Sequence, residues 1–155
     1  MKKFLIYSFC ILLLTQFLSL TLPPLGIILG TTIILPLLIW YSGKENRVKF
    51  VNILWTILVF YLISRTLDWF FAPGTHDSQG IAWMFLMSIF SSITMIGIWI
   101  FYLKHKNLNP KETKTYIILI CFLIIPFVHI QLLNKFCNQN LNVTNKTLYQ
   151  YFKNE

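Results

Sequence analysis

FVNILWTILVFYLISRTLDWFFA, residues 50–72, is an apolar stretch carrying one pair of charges, Arg65 and Asp68. A transmembrane α-helix needs about 20 mostly apolar residues to cross a hydrocarbon layer of about 30 Å, and this stretch is long enough to do so with some tilt. Its apolar residues fall on all sides instead of alternating, so neither a half-buried strand nor a β-barrel strand describes it. Lipid offers no hydrogen bonds to backbone groups, so such a run must satisfy its own N–H and C=O groups as a helix.

The same reading repeats on both sides of it. Spans are expected at about 4–22, 25–41, 50–72, 81–103 and 115–134, forming a transmembrane domain over 1–134 and leaving 135–155 as a short polar C-terminal tail. In that tail Leu148, Tyr151 and Phe152 recur at helical spacing, a pattern suited to a membrane surface. The expected fold is all-α: a polytopic transmembrane helical bundle of about five helices, or four if residues 1–22 are cleaved. The first run follows Lys2 and Lys3 as a secretory signal would, but it lacks a small-x-small cleavage site, so it reads as a retained helix. Pro23 and Pro24 end it, because proline has no amide donor and drives the preceding residue out of the helical region.

Within the second run, Gly26 and Gly30 are four apart, a spacing that lets two helix backbones approach closely. Pro36 is expected to kink that run and free a carbonyl for a neighbour to satisfy, and Gly43 occupies the place where a helix often ends in a left-handed residue. Pro126 is a second breaker, in the fifth run. Asn109, Pro110 and Glu112 read as the start of a helix, with an N-cap, a proline at the first helical position and an acid at the third.

Composition supports the same class. Of 155 residues, 56% are hydrophobic, 17% aromatic and only 12% charged, more apolar surface than a water-soluble domain of this length can hide. The net charge of +8 does not point to nucleic acid, because the basic residues sit in short links and at the termini and not on one soluble face. Their placement gives an orientation. Lys2, Lys3, Lys44, Arg47, Lys49, Lys104, Lys106, Lys111 and Lys114 fall on one side, whereas links 23–24 and 73–80 carry no lysine or arginine. The positive-inside rule then puts the N-terminus in the cytoplasm and, with five crossings, the tail outside; Lys135, Lys146 and Lys153 in the tail oppose that placement. A bacterial inner membrane is the expected location.

Arg65 and Asp68 are three residues apart on one helix face, so their side chains can meet. At 1.5 Å per residue they lie roughly 5 to 10 Å below the outer interface. Ionisable groups at such depth mark either a polar site or an ion pair that locks helix packing. His76 and Asp77 in the outer link, and His129 toward the outer end of the fifth run, fall at a similar level, so Arg65, Asp68, His76, Asp77 and His129 form the candidate binding set. Each of the last three also has an ordinary role: Asp77 as N-cap of the fourth helix, His76 as a solvated loop residue and His129 as a packing histidine.

Paired carboxylates Asp68 and Asp77 would suit acid–base chemistry if they met. No metal-ligand spacing is present, and Cys10, Cys121 and Cys137 form no CxxC pair, so neither metal nor cofactor is expected. The Asn-and-Asp motifs of lipoprotein signal peptidases and the external cysteine pairs of quinone-linked disulfide oxidases are missing. In size and in its several apolar spans the chain is similar to the immunity proteins for pore-forming bacteriocins, although it shares no motif with them. The expected function is therefore that of a small integral protein acting through helix packing with another membrane component or with itself, as an accessory subunit or immunity-type protector. The alternative is a membrane-embedded enzyme or small-solute carrier with an outward-facing polar site around Arg65 and Asp68.

Overall fold

The computed structural model describes residues 2–22, 25–71, 78–106 and 115–140, with backbone alone for 78–81 and 136–140. Helix α1 runs Lys2–Thr21. A π-wound segment, Gly26–Ile34, passes directly into α2, Leu35–Glu45. Then come α3, Phe50–Phe71; α4, Ser78–Lys106; and α5, Thr115–Asn140. Five helices are long and apolar enough to cross a membrane, with the π segment and α2 counting as one, Gly26–Glu45. The all-α bundle expected from the sequence is the fold observed, and its architecture is that of a multi-pass membrane protein.

Polar side chains are buried among the apolar residues of the core, while many large apolar side chains face outward. Ser8, Thr15, Ser19, Ser64, Arg65, Asp68 and Ser88 have 0% exposure, while Phe9, Phe17, Ile93 and Ile124 are more than half exposed. On α1 the inward positions Phe4, Ser8, Leu12, Thr15 and Ser19 recur every three or four residues and keep to one face. Small hydroxyl residues on that face let backbones come close and supply hydrogen bonds, which in lipid take over the organising role that burial of apolar groups has in water. Thr15 and Thr21 turn their hydroxyls onto carbonyls of their own helix, at Leu12 and Phe17.

Gly26 and Gly30 make the close approach that their spacing allows. A Cβ at Gly26 would overlap the backbone of Leu18, and one at Gly30 would lie 3.3 Å from the Thr15 carbonyl oxygen. The π segment thus lies backbone to backbone against α1. The effect of Pro36 is a change of winding. The Leu35 N–H reaches back to Gly30 O, and regular α-helix begins only there, with Pro36 in its first turn where no amide partner is required. Thr31 and Thr32 donate to the carbonyls of Ile27 and Ile28 within the widened turns.

Gly43 is not the left-handed residue. The helix continues past it to Glu45, and Arg47 takes the left-handed conformation, with φ 52°. Arg47 N–H bonds Lys44 O at 3.2 Å and Val48 N–H bonds Gly43 O at 3.0 Å, the paired closure of a Schellman motif with arginine in the glycine position. Gly43 is small for another reason: a Cβ there would collide with Ile53, so the glycine admits α3 against α2.

Helix α3 is central. Its buried residues, including Ile53, Leu54, Ile57, Leu58, Tyr61 and Arg65, form one stripe, and the helix packs against α1, α2 and α5. Helix α5 passes through Pro126 without ending. Proline at 126 removes the donor that Phe122 O would receive in the helix, and Ser92 Oγ on α4 donates to that carbonyl at 3.0 Å. Ser92→Ala is therefore expected to destabilise the protein by about 1 to 2 kcal/mol in reversible unfolding in detergent, and the loss should shrink in the Pro126→Ala background, where the helix can bond its own carbonyl. The suggested helix start at Asn109, Pro110 and Glu112 lies outside the described residues, as do the tail residues Leu148, Tyr151 and Phe152.

Candidate polar site inside the bundle

Helix α3 presents Tyr61, Ser64, Arg65 and Asp68 at spacings of three and four, all at 0% exposure. Arg65 Nη2 and Asp68 Oδ2 are 2.8 Å apart, so the two charges face each other across one helical turn. One turn earlier, the Tyr61 ring lies 5.4 Å from the guanidinium carbon, within cation–π range. Arg65 Nη1 also reaches Met84 Sδ on α4 at 3.8 Å. The arginine is thereby held between a carboxylate, an aromatic face and a thioether.

Beside this pair, hydrogen bonds tie α3 to α1 and α4, and α4 to α5. Tyr61 Oη donates to Ser88 Oγ at 3.2 Å, and Ser88 Oγ donates to Met84 O at 3.0 Å. Ser92 continues the line, its one hydroxyl proton shared between Ser88 O and Phe122 O at 2.9 and 3.0 Å. Next to Arg65 on the same buried face of α3, the Gln16 amide from α1 donates to Ser64 Oγ and, at 3.4 Å, to Ser64 O. The result is a polar seam in which α1, α3, α4 and α5 each contribute, enclosed by apolar packing that includes Trp69, Met84 and Ile130.

The seam is only partly satisfied. Arg65 Nε, Asp68 Oδ1 and Gln16 Oε1 are buried and have no hydrogen-bond partner. Nη2 and Oδ2 attract as charges at short range, but neither makes an aligned hydrogen bond. In a low-dielectric interior such charges interact strongly and are costly to separate.

The structure brings Arg65 and Asp68 together. It places half-buried His129 on α5 with Nε2 3.1 Å from the Thr66 hydroxyl, beside Arg65 in sequence but not on the ion pair. His76 and Asp77 lie outside the described residues, so the Asp68 and Asp77 pairing falls there too. Gln16, Tyr61, Ser64, Ser88 and Ser92 join the site without having been expected. The spacing of Ser88 and Ser92 by one turn, and an amide in the apolar first run, are the signals that could have found them. Among the described residues no three His, Cys, Asp or Glu side chains gather as metal ligands. The arrangement can hold a charge pair, orient α4 against α3, and donate or accept hydrogen bonds at its unpartnered atoms. Comparison with protein-family models, with curated proteins and with solved structures finds no match.

Proposed function

We propose that this is a small multi-pass protein of a bacterial inner membrane, N-terminus cytoplasmic and C-terminus outside, that works by packing its helices against another membrane component as an accessory subunit or immunity-type protector. The observation supporting this reading is the closure of the ion pair: Arg65 and Asp68 have 0% exposure and are each other's partner. Charges so enclosed serve to fix one arrangement of helices, a use of buried polar groups that sets specificity of packing. The outward surface left for contact is aliphatic and aromatic. Helix α5 is the most apolar span and the least buried, and it turns Ile117, Ile120, Ile124 and Val128 outward in a single stripe.

Photo-crosslinking residues introduced at Ile117 and Ile124, in the membranes where the protein is naturally made, test the reading. A discrete heavier species of the same mass from both positions is expected. Lipid adducts alone would contradict it.

The unpartnered Arg65 Nε, Asp68 Oδ1 and Gln16 Oε1 favour a second reading, a membrane-embedded enzyme or small-solute carrier centred on the seam. Ionisable groups within a membrane commonly line substrate or ion paths. On that reading Asp68→Asn abolishes activity in a protein that still inserts and folds, and normal function in the variant excludes it.

A further inference from the structure

At the opposite end of α3 from the ion pair, the turn from α2 to α3 and the last turns of α4 enclose a cavity of about 370 Å³. Four cationic side chains line it: Lys44 at the end of α2, Arg47 and Lys49 in the turn, and Lys106 at the end of α4. His105 adds an imidazole ring, stacked on Phe101 with centroids 6.1 Å apart. No carboxylate lines the cavity among the described residues, and the nearby Glu45 lines a separate cleft beside α1. The wall is aromatic. Phe50 and Tyr102 stack with centroids 3.7 Å apart, and Trp40 meets Phe101 edge-on at 5.5 Å.

Three features specify the occupant. The cavity is at the ends of three spans, the level at which lipid headgroups lie, and Trp and Tyr rings are the side chains that settle at that level. Its charge is of one sign, and the Schellman closure holds Arg47 in a left-handed conformation that a free chain would seldom adopt, so the turn bearing two of the cations is preformed. Trp40, Ile53 and Phe101 also line it, and Phe101 is more than half exposed on the outer surface, an apolar lining that suits the start of an acyl chain. A soluble anion would use the cations but not that wall. Basic pockets between transmembrane helices are a recurrent way of holding anionic headgroups.

We infer that this cavity is a binding site for the phosphate headgroup of an anionic phospholipid from the membrane the chain spans. The cations draw in the single negative charge of the phosphodiester, and the aromatic wall receives the glycerol and the first methylenes. The site is remote from the polar seam and does not depend on whether the protein packs against a partner.

The test uses the full chain, purified in a neutral detergent and stripped of lipid, titrated with dioctanoyl phosphatidylglycerol, dioctanoyl phosphatidylcholine or inorganic phosphate while binding is followed by thermophoresis. Saturable binding of phosphatidylglycerol at one site is expected, with both other probes at least about tenfold weaker. Arg47→Gln combined with Lys49→Gln should weaken it about 25-fold, at roughly fivefold per cation, whereas Lys2→Gln with Lys3→Gln, which removes equal charge from outside the cavity, should change it less than about twofold. Equal binding of the two lipids, inorganic phosphate as tight as phosphatidylglycerol, or equal losses in the two double variants would each overturn the inference. If the turn variant does not fold, Lys44→Gln with Lys106→Gln removes the same charge from two other helices, and undiminished binding there would overturn it equally.

Discussion

Asp68→Leu is expected to lower the stability of the bundle by about 3 to 5 kcal/mol, because it leaves Arg65 buried with no opposing charge. Arg65 cannot move readily to water: it has 0% exposure and lies between Tyr61 and Met84. Removing both charges is a different experiment. With Arg65→Leu and Asp68→Leu together, no uncompensated ion remains, and stability should return to near the wild-type value or exceed it. Reversible unfolding in mixed detergent micelles measures both. A double variant that is stable and still engages its crosslinked neighbour supports a packing role, whereas one that is stable but inactive makes the pair a site.

Gly26→Ala is expected to cost about 3 kcal/mol, at the upper end of overpacking. The new methyl would overlap the backbone of Leu18, and a backbone on a neighbouring helix cannot turn aside as a side chain can. The rest of the glycine series calibrates the effect. Gly30→Ala meets the Thr15 carbonyl oxygen at 3.3 Å and should cost less, whereas Gly97→Ala meets nothing within 4 Å and should cost nothing. Unfolding in the same micelles should rank the three variants in that order. Equal stability of the Gly26 and Gly97 variants would refute the close packing of α1 on the π segment.

The spans were legible because lipid imposes two simple demands, length and apolarity, and each run of sequence meets them without reference to any other. The meeting of Arg65 and Asp68 was legible for a similar reason, since an i, i+3 pair is fixed by its own helix. The rest of the seam depends on partners distant in the chain. Gln16 and Ser64 are 48 residues apart, and Tyr61 and Ser88 are 27 apart. Nothing in either helix alone chooses those pairs. The carbonyl released by Pro126 was foreseeable, but its donor, Ser92, sits 30 residues from Phe122 and is chosen by packing.

The turn after α2 misled in an instructive way. Glycine adopts the left-handed region most easily, so Gly43 drew the expectation, yet its lack of a side chain serves α3 and the strain falls on Arg47. A run of basic residues there reads as an orientation signal. Only the fold shows that four of the chain's cations surround a cavity.

The account rests on lipid, and not water, surrounding the outward faces of the helices. In a cysteine-free background, spin labels placed singly at Leu13, Ile93, Ile124 and Lys49 in reconstituted bilayers should report collisions with dissolved oxygen and with a water-soluble nickel chelate. High oxygen and low nickel accessibility at Leu13, Ile93 and Ile124, with the reverse at Lys49, is the expected result. Nickel accessibility at those three positions equal to that at Lys49 would contradict the account.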